Sequence, residues 1–403
     1  MSNRISFSIY LSIKALEAIL RSRSYRGMIL NRDVNIFLDA SISELAAAVG
    51  NNPDETYIGD FLRYNSRGVK FHVANELVAQ LLEDPKRFSQ GPFAVYILAI
   101  SSADAKRIRE QYGVLCFSDS TTLRLPPLRF QKNTFCEKDK VGKSWASFLR
   151  ELSEIPFNTL AINDRYLLPS KGNELECSMQ NLEDIFAALL PSVDGRSPVH
   201  VFIYFDAVDK DWSLDFLHEN SEKTLFPDLQ RLFQHSVKEE FQKKSRAIYD
   251  MVRSFAMNRY PVHTYCVSYF RGLDKNKKDG SLFMKTYVPG YERTHNRRIL
   301  TDYIQISADY GLVAFSLSGQ VLKTQALNAK GLFCEGLNDK SDIPEERHRM
   351  ELSSLPGRDN ADNVLFSKDG KLIEGTKQIM NEIGQIPLLV DEQNKTGALL
   401  LEL

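Results

Sequence analysis

The stretch TYVPGYERTHNRRILTDYIQISADYG, residues 286–311, sets His295 two residues before Arg297 and places Asp302 five beyond the arginine. In an extended chain alternate residues share a face, so the imidazole and the guanidinium point the same way. Asp302 has an odd offset from both and falls on the opposite face or past the strand end. An imidazole beside a guanidinium suits a phosphodiester. The arginine can grip two phosphate oxygens with its planar fork, and the histidine can attack phosphorus or move a proton. The candidate catalytic set is therefore His295, Arg297 and Asp302, with Arg297 as phosphate clamp and Asp302 orienting from behind. A surface strand of mixed charge carries the same short string, so the surroundings have to decide.

The surroundings are basic. Between 271 and 298 the chain carries Arg271, Lys275, Lys277, Lys278, Lys285, Arg293, Arg297 and Arg298 against Asp274, Asp279 and Glu292. That local excess fits a polyanion surface, and it fits a solvated hairpin tip as well. Lys285, Arg293 and Arg298 are the candidate phosphate contacts here, joined by Arg165 from an earlier strand. The charge is local, because Lys plus Arg total 51 and Asp plus Glu 52. A balance so close to neutral excludes the overall basic signature of many nucleic-acid proteins.

The elements that must hold these residues read as α/β. With 43% hydrophobic residues, the 403-residue chain can bury a sizeable core spread over two or three domains. Residues 1–145 read as a small α/β domain. ISFSIYLSIKALEAIL is an amphipathic first element, VNIFLDAS (34–41) a strand, SISELAAAV a serine-capped helix and HVANELVAQLLED (72–84) a helix. FAVYILAIS and VLCFSDS are strands flanking a helix that ends at Gly113. Residues 122–145, with Pro-Pro and mixed charge, read as a linker or surface excursion.

Residues 146–335 then repeat the alternation. FNTLAINDRYLLP (157–169) reads as a strand. QNLEDIFAALLP reads as a helix with Leu182, Ile185, Phe186 and Leu189 on one face, and VHVFIYFDA as the next strand. Residues 238–258 form a helix striped by Ile248, Met251, Val252 and Phe255. VHTYCVSYF, the motif strand and GLVAFSL (311–317) complete a mixed sheet with flanking helices. Residues 336–403 read as a loop-rich extension with an Asp-Gly hairpin over 364–374 and a short helix.

Here the sequence resembles a known family. H-x-R-x4-D is a variant of the H-x-K-x4-D signature of the phospholipase D superfamily. INDRYLLP, NLEDIFAALL, THNRRILTDYIQIS and YGLVAFS resemble, in order, the phospholipase-D-like C-terminal domain of MIT-domain proteins. The likeness covers about 155–320. It implies an α/β fold, phosphate affinity and no cofactor. It departs at Arg297, where the active enzymes carry lysine, and at Asn163, which stands where a second histidine would be needed. The MIT-associated domains bind acidic phospholipid headgroups and are not hydrolases, so the resemblance implies phosphate affinity more than turnover. The expected partner is nucleic acid or another phosphate-bearing polyanion, with a non-catalytic binder of anionic phospholipid or a protein-interaction module as the alternative. Turnover would require a homodimer pairing two copies of His295. A chain with a further N-terminal domain and no MIT-like helical bundle reads as a microbial defence or mobile-element protein.

A rival site lies in the first domain. Asp39, Glu76, Asp104 and Asp119 follow the order of acids in PIN-type nucleases and could hold Mg2+ or Mn2+; each also suits a cap or turn. GxGxxG, P-loop, GxSxG and HExxH signatures are absent. Five scattered cysteines without a CxxC pair point to a reducing cytoplasm. No apolar run reaches the roughly 20 residues of a membrane span.

Overall fold

The computed structural model describes residues 7–22, 34–65, 70–88, 94–120, 131–152, 155–169, 173–220, 225–269, 272–273, 282–283, 297–301, 303–331 and 389–391. The N-terminal stretch divides in two, where one amphipathic element was expected. FSIYLS, with Ile9 and Leu11 fully buried, forms β1 (Phe7–Ser12), and Ser12 then caps α1 (Ile13–Arg21) by accepting the Ala15 N–H. β1 lies at the centre of a parallel sheet of order β3-β2-β1-β4-β5. Its partners are β2 (Val34–Asp39), β3 (Lys70–Ala74), β4 (Ala94–Leu98) and β5 (Leu115–Ser118).

Residues 72–74, expected to open a helix, belong to β3, whose KFHVA run pairs with β2. The helix begins only at α3 (Leu77–Glu83). α2 (Ile42–Val49) starts at a capping box between Ser41 and Glu44, and α4 (Ser102–Tyr112) stops at Gly113, whose φ of 65° suits glycine. Helices cover both faces of the sheet. Ile9, Leu11, Ile36 and Val95 pack with Leu16 and Ile19 of α1. Tyr96 and Cys116 pack with Leu81, Ala105 and Ile108 of α3 and α4.

The second sheet has eight strands among the described residues, in the order β15-β9-β8-β7-β12-β13-β14-β6. β7 (Thr159–Asn163), β8 (Val199–Asp206) and β9 (Val262–Tyr269) are parallel. β12 (Arg297–Thr301), β13 (Ile304–Ala308), β14 (Gln325–Gly331) and β6 (Gln131–Cys136) continue antiparallel, and β15 (Leu389–Asp391) lies along β9. A separate ribbon pairs β10 (Gly272–Leu273) with β11 (Leu282–Phe283). Flanking the sheet are α5 (Trp145–Leu149), α6 (Asn173–Leu189), α7 (Lys210–Asn220) and α8 (Phe226–Ala256). The four apolar residues expected on one helical face, Leu182, Ile185, Phe186 and Leu189, are buried on α6.

Further expectations change. The stretch 122–145 is not wholly a linker, because β6 within it joins the large sheet as its edge strand. β7 ends at Asn163, because Asp164 Oδ1 accepts the Tyr166 N–H at 3.0 Å and turns the chain. GLVAFSL is not a strand but a loop buried at Leu312, Ala314 and Phe315, whose N–H groups donate to the side chains of Asp164 and Asn181. The motif stretch, expected as one strand, instead holds the antiparallel pair β12 and β13. The hairpin and helix expected within 336–403 lie outside the described residues.

The two sheets share one continuous apolar core. Tyr303 Oη donates to Ala94 O at 2.9 Å, and Ser197 N donates to Gln111 O at 2.7 Å. Buried Arg196 donates to Phe157 O and to Asn158 Oδ1, while Asn158 Nδ2 donates to Tyr112 O. Among the described residues, no helix is long and apolar enough to cross a membrane.

Candidate functional site

β12 runs antiparallel to β7, with Arg298 opposite Asn163. Its first residue, Arg297, therefore sits at the carboxyl end of the parallel strands β7 and β8, the edge at which open α/β sheets bind their ligands. The pleat turns Arg297, Ile299 and Thr301 to one face. Ile299 and Thr301 are buried there, which anchors the strand beneath the arginine. Arg298 projects from the other face.

Further side chains meet Arg297 or its neighbours at this edge. Asp164, 2% exposed, lies 3.8 Å from Arg297 Nε through Oδ1. The same carboxylate accepts the Tyr166 N–H and, through Oδ2, the Leu312 N–H at 2.8 Å. Burial raises the Asp164 pKa, and the two backbone donors and Arg297 pull the other way. Arg297 Nη1 donates to Asp309 O at 2.8 Å. The loop supplying that carbonyl passes close by because residue 311 is glycine. With φ of 142°, Gly311 has the Asp164 carboxylate 3.3 Å from where a Cβ would stand.

One strand over, Arg165 Nε donates to Asp206 Oδ2 at 2.6 Å, and Asp206 N donates back to Arg165 O at 2.9 Å. Asp206 is buried and terminates β8. Arg165 is thus held at Nε by a hydrogen bond to a buried aspartate, whereas Arg297 has a buried aspartate beside its Nε and is hydrogen-bonded through Nη1 to Asp309 O. Part of each side chain stays in solvent, 24% for Arg165 and 18% for Arg297. These bonds, at Nε in Arg165 and at Nη1 in Arg297, orient the planar groups, so less freedom is lost when a ligand engages them. Tyr166 lies between the two, its ring centroid 5.8 Å from the Arg165 guanidinium carbon and 5.9 Å from that of Arg297.

Lys244 completes the edge from below. Its Nζ, 4% exposed on α8, donates to Leu168 O at 2.8 Å and Ala207 O at 2.7 Å. These carbonyls belong to the turns that follow β7 and β8, so one lysine ties the Arg165 turn to the Asp206 turn. Burial lowers its pKa from 10.5 to about 8 against the opposing fields of Glu240, Asp209 and Asp206. Asn181 holds the other side of the site. Its Oδ1 accepts from Trp145 Nε1, Ala314 N and Phe315 N, and its Nδ2 donates to Cys177 O and Phe315 O.

Of the residues singled out in the sequence, Arg297 and Arg165 come together at this edge. Asp164 and Asn163 stand beside them on or just after β7. Arg298 is on β12 but on the opposite face. His295, Asp302, Lys285 and Arg293 lie outside the described residues, as does most of the basic stretch.

Around the five-stranded sheet, Asp39, Glu76, Asp104 and Asp119 do not form a metal set. Asp39 Oδ1 accepts the Leu77 N–H, and Asp104 bonds Ser101 at the start of α4. Asp119 accepts from Ser12 Oγ and faces Lys14, and Glu76 precedes α3 in the left-handed region. Among the described residues no group of three or more His, Cys, Asp or Glu could hold a metal ion.

Lys244, Asp206 and Tyr166 were not singled out as site residues. Lys244 carried a readable signal, being four residues before Ile248 on the apolar stripe of its helix. Neither the models of known protein families nor the curated proteins give any match to this chain.

Proposed function

We propose that the carboxyl end of the large sheet recognises phosphate-bearing polyanions and that the protein acts on nucleic acid through a phospholipase-D-like domain. The reading is carried by one observation: Arg165, in the turn after β7, and Arg297, at the start of β12, each lie against a buried aspartate and are partly open to solvent at one sheet edge. A buried carboxylate behind an arginine is costly as a stability device and useful as a positioning device. Two such pairs side by side form a forked cationic surface matched to phosphate oxygens. His295 is two residues before Arg297, and the local basic excess of 271–298 leads into the same strand.

Binding of a labelled oligonucleotide and of inorganic polyphosphate by the full chain, followed by fluorescence anisotropy across a salt series, tests the reading. Affinity should fall steeply with salt as phosphate counterions are released. Arg297→Ala removes a charged hydrogen bond of about 1.5–3 kcal/mol and should weaken both ligands roughly 10- to 150-fold. Arg297→Lys should recover only part, since an ammonium lacks the fork. A folded Arg297→Ala protein that binds both ligands like the parent makes the arginine structural and ends the proposal.

Cleavage assays with EDTA present separate recognition from turnover. Metal-independent cleavage abolished in His295→Ala supports a dimeric phosphodiesterase with His295 as nucleophile. Cleavage that requires Mg2+ and disappears in Asp39→Ala moves the chemistry to the first domain.

A further inference from the structure

The two tryptophans offer no stacking platform. Trp145 is fully buried and bonded to Asn181, and Trp212 packs against Phe216 and Phe233. One aromatic ring at the sheet edge is Tyr166, in the turn that follows β7. It is 49% exposed, although its backbone N–H is fixed by buried Asp164 and its ring is flanked by the guanidinium groups of Arg165 and Arg297.

We propose that Tyr166 is a base-stacking residue and that the ligand of this edge is single-stranded nucleic acid. The inference rests on the phosphate reading and adds the identity of the polyanion. A nucleotide presents a flat π-face beside phosphates, and here a flat π-face stands beside two cationic forks. A phospholipid headgroup offers the phosphate but nothing flat to cover the ring. In a duplex the bases are stacked on one another, so only an unpaired strand can give a base to a tyrosine. Core burial does not account for the placement, because Tyr166 is 49% exposed and its ring lies against the two guanidinium groups.

The test uses the full chain and three probes: a labelled single-stranded oligonucleotide, an abasic strand with the same number of phosphates, and phosphatidylserine vesicles. The parent should bind the oligonucleotide more tightly than the abasic strand and bind the vesicles weakly. Stacking contributes per base on a scale that makes the expected loss in Tyr166→Ala roughly 5- to 150-fold for the oligonucleotide, with abasic affinity unchanged. Tyr166→Phe should behave as the parent, since the ring is retained. Tyr166→Leu, which keeps bulk without a π-face, should reproduce the alanine result and replaces it if that variant fails to fold.

Equal loss on both strands, or loss on neither, overturns the stacking role. The phosphate reading survives that outcome if Arg297→Ala still weakens the abasic strand. Vesicle binding without oligonucleotide binding overturns the nucleic-acid assignment in favour of lipid. Binding to none of the probes, polyphosphate included, overturns both readings together.

Discussion

The carboxyl ends of the two sheets carry similar polar residues and use them differently. In the five-stranded sheet, Ser12 caps α1 and donates to Asp119 Oδ2 at 2.7 Å, Asp39 accepts the Leu77 N–H, and Ser101 caps α4. These side chains mainly satisfy backbone groups that helix starts leave open. In the eight-stranded sheet, Asp164 and Asp206 are buried and hold arginines that reach solvent. An aspartate at a strand end is therefore ambiguous until its partner is known. One that accepts only from backbone is a cap. One that also faces a guanidinium is a positioning device, and Asp164 does both by binding the Tyr166 and Leu312 N–H groups beside Arg297.

The largest effect that would sharpen this contrast is expected at Asn181. Its amide holds the 312–316 loop, and Asn181→Ala leaves the buried N–H groups of Ala314 and Phe315 without their acceptor. At about 1–3 kcal/mol for each stranded donor, the variant should lose roughly 2–6 kcal/mol in denaturant unfolding. Hydrogen exchange should rise first in 309–316 and spare the five-stranded sheet. Early exposure of both sheets together would mean that they unfold as one unit and that the contrast is not energetic.

A smaller but more specific effect is expected at Lys244. Its pKa falls from 10.5 to about 8 on folding, so between those values the unfolded chain binds more protons than the folded one. Stability attributable to this group therefore rises with pH across that window, and the full cost of burying the charge is present below about pH 8. The span corresponds to on the order of 3 kcal/mol. Lys244→Met lacks the titration, so its stability relative to the parent should decline as pH goes from 8 to 10. A constant difference between the two proteins over that range would show that Lys244 titrates normally.

How much of this was legible follows from the residues themselves. The strands with continuous branched and aromatic runs, such as VNIFLD, AVYIL and VHVFIYFD, stand where the pattern put them. FSIYLS was hidden because apolar residues of β1 run directly into those of α1, so two periods overlapped in one stretch. GLVAFSL is apolar enough for a strand, yet its backbone is satisfied by Asn181 and Asp164, a solution that no local pattern announces. QKNTFC gave too weak an apolar signal, being an edge strand whose Phe135 is left exposed. At the site, Arg297 and Arg165 were readable as residue types near strand ends. Their buried partners were less so, because pairing depends on how β7, β8 and β12 align.

The smallest effect is expected at Ser12, and it bears most directly on the contrast between the sheets. Its hydroxyl accepts the Ala15 N–H at 3.1 Å and donates to Asp119 Oδ2, while Lys14 Nζ stands 3.8 Å from the other oxygen of that carboxylate. Ser12→Ala removes a helix cap and should lower stability by about 1 kcal/mol. Asp119 keeps Lys14 beside it, and its side chain is 10% exposed, so the loss of one hydroxyl leaves no fully stranded charge. Oligonucleotide and polyphosphate affinity should stay within about twofold of the parent, because the cap is far in the chain from Arg165 and Arg297 and bonds to neither. An order-of-magnitude loss of affinity in a folded Ser12→Ala protein would put the carboxyl end of the five-stranded sheet into the binding site. The division between a capping edge and a recognition edge would then have to be abandoned.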